Sequence, residues 1–143
     1  MGRRQVSTDI GAPADRVFDL YTDAQRVGEW QTGVKSVEST GPLSEVGSKW
    51  TVRYAGPFAV KGTVLAVERP ARHQQRFSEM LGLVDCTTTA AFQPTVDGTR
   101  ATIEMAYVVA GGAIGRLFDD RLGSEIVDRL TRDLAGLKAV AEQ

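Results

Sequence analysis

Six short segments of alternating apolar and polar residues between positions 34 and 109 constrain this chain more than any other feature. Alternation with a period of two is typical of β-strands that bury one face. Turn residues separate the segments, and Asp97-Gly98 between the last two is a strong hairpin signal. We therefore expect an antiparallel meander, because hairpins join neighbouring strands in opposite directions. The predicted strands are Val34–Ser39, Ser48–Tyr54, Phe58–Glu68, His73–Met80, Val84–Gln93 and Thr99–Val109.

Other elements are predicted on both sides of these strands. Residues 3–10 alternate enough to form a short strand, which we expect to pair at an edge of the sheet. The stretch "APADRVFDLYTDAQRVGEW" predicts two short helices, with Pro13 at the first helical position and Asp23 as the N-cap of the second. Helices under about 12 residues are marginal in water, so both must pack on the sheet. After Gly111-Gly112, one long helix is predicted to about residue 141.

The order of strand, two short helices, six strands and long helix predicts an α+β fold. A curved antiparallel seven-stranded sheet around the long helix buries both apolar faces, and residues 1–143 are predicted to form a single domain. The first turns of the helix, with Ile114, Leu117 and Phe118, present a face rotated from the main apolar stripe. Either the helix bends near Gly123 or its first turns cover a different surface. The main stripe consists of Leu122, Ile126, Leu130, Leu134, Leu137 and Val140.

Composition excludes several classes of function. The 17 basic and 18 acidic residues leave a net charge of −1, so there is no basic surplus to bind the phosphate backbone of a nucleic acid. No apolar run approaches the roughly 18 residues that a membrane span needs. One histidine and one cysteine cannot form a usual zinc site, and no phosphate- or dinucleotide-binding motif occurs, so neither metal nor cofactor is expected. The lone Cys86 and an N-terminus without a signal peptide favour the cytoplasm. The oligomeric state is left open.

Several motifs resemble those of the START-like superfamily (SRPBCC), and most closely its bacterial polyketide cyclase/dehydrase group. They are the short-helix stretch, "GVKSVE", "ERP", "DGTRATIEMAY" and "GRLFDDRL", and the resemblance covers essentially the whole chain. It implies a helix-grip (START/Bet v 1-like) fold with a deep cavity between the sheet and the C-terminal helix. Members of the superfamily bind hydrophobic small molecules there, and some cyclise or aromatise polyketide chains.

Three functions follow from this resemblance. The first is binding of a hydrophobic or aromatic small molecule (lipid-, quinone- or polyketide-like) in the internal cavity. The second is a polyketide aromatase/cyclase-type enzyme, which a polar, continuous cavity and a perturbed His73 would favour. The third is a protein-interaction module without a small-molecule ligand, which a collapsed cavity and a large exposed apolar patch would favour.

Alternation also predicts which side chains face the cavity. Phe77 should point inward, which places His73, Gln75 and Glu79 on the same side of their strand. The alternative is that this strand frays, so that His73 and Glu79 lie at the rim in water. The full set of predicted ligand-binding residues is Trp30, Trp50, Tyr54, His73, Phe77, Met105, Tyr107, Phe118 and Leu122.

Catalytic candidates are few. His73 is the only histidine and would need an orienting partner, such as Glu79 or Glu125, to act as a general base. The resemblance implies hydrogen-bond donors and an arginine that hold a polyketide chain, for which Tyr107 and Arg121 are candidates. Each has an alternative role in packing or on the solvated surface.

Overall fold

A computed structural model of the protein describes residues 2–79, 81–112, 115 and 117–143. Its elements follow the predicted order, and their bounds lie close to the predicted ones over the strands. They are β1 (Gly2–Ile10), α1 (Ala14–Tyr21), α2 (Val27–Trp30), β2 (Val34–Ser39), β3 (Lys49–Tyr54), β4 (Ala59–Glu68), β5 (Arg72–Glu79), β6 (Val84–Pro94), β7 (Thr99–Val109) and α3 (Asp119–Ala141).

The seven strands form one antiparallel sheet in the order β1-β7-β6-β5-β4-β3-β2. This order confirms the α+β helix-grip fold class, the meander and the edge position of β1. At the predicted β6–β7 turn, the backbone N–H of Thr95 donates to the carbonyl oxygen of Gly98 at 2.8 Å. Strand β2 is the other edge; it pairs with β3, with a register shift between Val34 and Ser36.

Helix α3 packs along β1 and against α1 and α2. It buries Ile126, Leu130, Leu134 and Leu137, as the main apolar stripe predicts. Together with the inward side chains of the sheet and of α1, these residues form one hydrophobic cluster. Burial of this apolar area is the main favourable contribution to folding.

The two short helices are held by aromatic contacts. Helix α1 buries Val17, Phe18 and Tyr21, and the Tyr21 ring stacks on Trp30 at the end of α2 with centroids 5.4 Å apart. The helices differ slightly from the prediction. Pro13 precedes α1 as its N-cap, and α2 has only four residues. Asp23 stands before α2 in a turn, where its Oδ1 accepts from the backbone N–H of Gln25 at 3.0 Å.

The long helix begins later than predicted, at Asp119 rather than after the glycine pair. Gly111 and Gly112 both adopt positive φ, 106° and 57°, which ends the extended chain. Gly115 and Leu117 are helical, and a turn at Phe118 separates them from α3. Leu117 and Phe118 are mostly exposed, so the rotated face predicted for the first turns precedes α3. Ile114, also predicted on that face, lies outside the described residues.

Candidate functional site

A cavity of about 80 Å³ lies between the sheet, α3 and the two short helices. Its walls are mostly apolar and aromatic, as is usual for small-molecule sites. Half-buried side chains, among them Gln31, Tyr54, Val60 and Arg129, mark where the cavity approaches solvent. The sheet contributes Val37, Trp50, Val52, Tyr54, Val60, His73, Gln75, Phe77, Glu79, Thr88, Ile103 and Met105, and the helices and loops add Tyr21, Val27, Trp30, Gln31, Leu43, Arg129, Leu130 and Asp133.

Strand β5 provides the most polar wall of the cavity. His73, Gln75, Phe77 and Glu79 all line it, on the side that alternation predicts. The strand does not fray, because it is paired along its whole length with β6 and over most of it with β4. Because His73 is only 1% exposed, it lies on the inner wall of the cavity and not at the rim in water.

His73 is fixed by a bond to the β2–β3 loop. Its Nε2 lies 2.8 Å from the carbonyl oxygen of Leu43. Because a carbonyl oxygen only accepts, Nε2 must carry the hydrogen in this arrangement. Burial lowers the pKa of His73, although the bond to Leu43 opposes this shift. The ring is therefore neutral near pH 7, with a free lone pair on Nδ1.

Two glycines make room for the tryptophans of the cavity. Trp50 on β3 lies over Gly62 on β4, its cross-strand neighbour, where a Cβ would collide with the indole ring. Gly136 on α3 lies against the backbone carbonyl of Trp30, so that α2 approaches the helix closely. The Trp50 ring also packs on Phe77, with centroids 5.7 Å apart. Close backbone approach thus sets the position of both indoles.

Four residues that line the cavity each carry a buried polar atom with no hydrogen-bond partner within the described part of the protein. They are Nε1 of Trp30, Nε1 of Trp50, Nδ1 of His73 and Oγ1 of Thr88. Leaving such a group unsatisfied costs about 1–3 kcal/mol. Their concentration around one cavity is typical of a site whose partners are supplied by a bound molecule or by water.

Helix α3 contributes two charged residues that the sequence analysis did not single out. Arg129 donates through Nη1 to Oε1 of Glu79 at 2.8 Å. Asp133 is 4% exposed, and its Oδ1 accepts from the backbone N–H of Thr32 at 3.3 Å. Burial raises the pKa of Asp133. One signal was available, because both residues lie three positions after an apolar-stripe residue, Ile126 or Leu130, and so share its side of the helix.

The structure brings together most, but not all, of the predicted site residues. Six line the cavity: Trp30, Trp50, Tyr54, His73, Phe77 and Met105. Tyr107, Phe118 and Leu122 do not border it. Tyr107 is buried over Gly2 at the β1 edge, Phe118 is 56% exposed, and Leu122 lines a shallow groove on the outer surface.

The catalytic candidates are separated in the same way. Arg121 is on the surface, with its side chain 81% exposed and 3.5 Å from Glu125 in an ion pair along the helix. Glu79 is engaged by Arg129, so neither carboxylate proposed as a partner of His73 is bonded to it. The carboxylate partner that His73 would need as a general base is therefore not in place, and a backbone carbonyl orients the ring instead.

Two kinds of feature are absent from the described ranges. No cluster of three or more His, Cys, Asp or Glu side chains is placed to hold a metal ion there. None of the helices described has the length and apolar character needed to cross a membrane.

Comparison with known proteins gives a family and a fold. The family model "Polyketide cyclase / dehydrase and lipid transport" matches residues 1–142. No curated protein matches the chain. Among solved structures, protein MLL2253 from Mesorhizobium loti is 15% identical, with a TM-score of 0.79 over 96% of this chain and 95% of that one.

Two other solved structures are similar to this chain over nearly its whole length. The di-domain ARO/CYC StfQ from the steffimycin biosynthetic pathway has a TM-score of 0.80 at 12% identity, over 98% of this chain and 50% of that one. Ara h 8.0201 also has a TM-score of 0.80, at 9% identity, over 98% of this chain and 97% of that one. At these identities the likeness concerns the fold alone.

Proposed function

Because the chain belongs to the polyketide cyclase/dehydrase and lipid transport family, we propose that it binds a hydrophobic or aromatic small molecule in the cavity between sheet and helix. The observation that carries this proposal is the cavity itself, which is lined by aromatic residues and by residues with unpartnered polar atoms. Apolar walls supply affinity, and a few placed polar groups set orientation.

The size of the cavity limits the ligand. Its volume of about 80 Å³ is roughly half that of an engineered cavity of about 150 Å³ that holds benzene. Even a single ring therefore requires half-buried side chains at the opening, such as Tyr54 and Arg129, to rotate outward. A longer ligand would place one ring inside and the rest towards solvent.

Native mass spectrometry of the purified protein, followed by solvent extraction, tests this proposal. We expect a co-purified small molecule, or binding of added 1-naphthol that quenches the fluorescence of the two tryptophans, since both line the cavity. Val37→Phe fills the cavity from β2 and should weaken naphthol binding at least fivefold. Val46→Phe adds the same atoms at a position 63% exposed and is the matched control.

Two results would count against the proposal. One is a protein that carries no small molecule and does not bind naphthol. The other is an equal loss of binding in Val37→Phe and Val46→Phe, which would show adsorption to the surface instead of entry into the cavity.

A second candidate function is cyclase-type chemistry in the same cavity, and the neutral His73 favours it. A lone pair on a buried imidazole can remove an acidic proton from a bound ketone. In deuterium oxide the protein should then accelerate exchange of the methyl protons of acetophenone, and His73→Gln should lower that rate. An exchange rate equal to that of buffer would exclude this activity for the probe.

The protein-interaction alternative depended on a collapsed cavity together with a large exposed apolar patch. Exposed apolar side chains do occur at three hairpin tips and before α3, namely Phe58, Leu81, Leu83, Val96, Leu117 and Phe118. The cavity is nevertheless present, so the first of the two conditions is not met.

A further inference from the structure

The polar atoms of the cavity do not all have the same hydrogen-bonding role. The indole N–H groups of Trp30 and Trp50 can only donate, whereas the hydroxyl of Thr88 can donate or accept. His73 can contribute only through Nδ1, because Nε2 is bonded to the carbonyl oxygen of Leu43. All four atoms are buried and lack partners among the described residues.

The bond to Leu43 decides what Nδ1 can do. A neutral imidazole carries one hydrogen, and the carbonyl requires it on Nε2, so Nδ1 is an acceptor. In the free protein a second hydrogen on the ring would place a charge in a buried site, where the Tyr21 ring packs edge-to-face with the imidazole, with ring centroids 5.4 Å apart. The residues that line the cavity thus carry two donors and one acceptor.

We propose that His73 is a specificity-determining residue, which selects ring compounds that present a hydroxyl group to Nδ1 while their carbonyl oxygen accepts from an indole N–H. This inference rests on the proposed function, because it names the chemistry of the molecule bound in the same cavity. A ligand with a methyl group in place of the hydroxyl would leave Nδ1 buried and unpartnered, which disfavours its binding.

Two probes of matched size test the inference in the unmodified protein. We would compare 4′-hydroxyacetophenone with 4′-methylacetophenone by tryptophan quenching and calorimetry. The wild-type protein should bind the hydroxyl compound about tenfold more tightly, the ratio that one net hydrogen bond gives. The ratio should fall to near one in His73→Phe, remain partly in His73→Gln, and be unchanged in Thr87→Val, because Thr87 is on β6 but does not line the cavity.

Nitrogen NMR gives a readout that needs no variant. The chain has a single histidine, so a protein prepared without a histidine tag shows one imidazole. We expect a hydrogen on Nε2 and a bare Nδ1 in the free protein. The hydroxyl probe should shift the Nδ1 resonance, and the methyl probe should leave it nearly in place.

Several outcomes overturn the inference. They are equal dissociation constants for the two probes, binding of neither at millimolar concentration, a hydrogen on Nδ1 in the free protein, or an Nδ1 resonance that ignores the hydroxyl probe. The proposed function is tested separately by extraction and by naphthol. Naphthol bound with no discrimination between the ketones therefore contradicts the inference alone, whereas no bound molecule of any kind contradicts both.

Discussion

Helix α3 packs against the molecule in two different ways along its length. Near its C-terminal end, Leu134 and Leu137 are surrounded by the side chains of the core and are 2% and 0% exposed. Arg129, Leu130 and Asp133, which come just before these leucines in the middle of the helix, border the cavity. One helix therefore completes a filled core with its C-terminal turns and forms the wall of a void with its middle turns.

The filled part of α3 and its cavity-lining part should contribute differently to the stability of the protein. Filled cores contribute stability because each side chain meets atoms on every side. Cavity walls give up part of that contact and leave polar atoms unsatisfied, which is a cost that a ligand can offset. The difference should appear as unequal losses of stability when the same substitution is made in the filled part and in the cavity-lining part of α3.

The largest expected effect compares two leucines of α3. Leu137→Ala should lower the free energy of unfolding by about 3–5 kcal/mol, since it opens a new cavity in a filled region. Leu130→Ala should lower the free energy of unfolding by a smaller amount, with a difference of at least about 1 kcal/mol, because that side chain already faces empty space on one side. Urea unfolding followed by circular dichroism measures both values.

The same pair also has a binding readout. Leu130→Ala enlarges the ligand cavity and should keep or increase the affinity for naphthol, whereas Leu137→Ala should not change the affinity of the folded protein. Equal losses of stability at Leu130 and Leu137 would contradict the contrast between the cavity-lining part and the filled part of the helix.

A smaller effect concerns the contact between α2 and α3. Gly136→Ala drives a methyl group into the backbone carbonyl of Trp30, and we expect a loss of about 1–3 kcal/mol together with a shift in tryptophan emission. Gly28→Ala is the matched control, because a Cβ there would lie 3.6 Å from the nearest atom, the carbonyl oxygen of Val34. That variant should be neutral or slightly stabilising. A neutral Gly136→Ala would show that α2 is free to move.

Asp133, which lies in the cavity-lining part of α3, makes the stability of the protein depend on pH. Burial raises the pKa of this carboxyl in the folded protein, so its protonated form is favoured on folding. Its contribution to stability is thus most favourable below the unfolded pKa and is lost as the pH rises through the folded pKa.

We expect Asp133→Asn to gain stability relative to the wild type on going from pH 4 to pH 7, since Asn can still accept from the N–H of Thr32. Urea unfolding at the two pH values measures the change, and Asp128→Asn on the exposed face of α3 controls for loss of one charge. A relative stability that falls with rising pH would reverse the sign and contradict the burial argument.

The smallest effects compare two ion pairs of α3. A double-mutant cycle on the exposed pair Arg121–Glu125 should give a coupling of roughly 0.3–0.5 kcal/mol, as helix surface pairs do. The pair Glu79–Arg129 is less exposed, with side chains 18% and 33% accessible, and should couple more strongly and depend less on salt. Arg121→Ala should leave the affinity for naphthol unchanged. A clear loss of affinity would show that Arg121 contributes to ligand binding after all.

Local pattern was enough to predict most of the fold. Alternation placed the strands, and the Asp97-Gly98 signal located the last hairpin, because strand period and turn chemistry are properties of neighbouring residues. It was also enough to place His73 and Phe77 on the inner side of β5. The start of α3 was missed because helical spacing continued through Leu117 and Phe118, although these side chains have little to pack on.

Contacts between distant residues were beyond the sequence. Nothing near His73 indicates that its Nε2 will meet the carbonyl of Leu43, which lies 30 positions earlier. Tyr107 faces inward as predicted, yet the cavity stops short of it, because the extent of a void depends on how several elements pack. Arg129 and Asp133 were overlooked because charged residues on a helix are usually assigned to its solvated side.

Strand β2 forms the part of the cavity wall that is held by the fewest backbone hydrogen bonds, because it is an edge strand of the sheet. Val37 borders the cavity from a strand that is bonded to β3 on one side, and the register shift beside Ser36 interrupts even that ladder. Such a strand can swing outward by giving up few hydrogen bonds, whereas β5 and β6 are clamped on both sides. Of the strands that border the cavity, β2 is therefore the one that can be displaced with the loss of the fewest backbone hydrogen bonds.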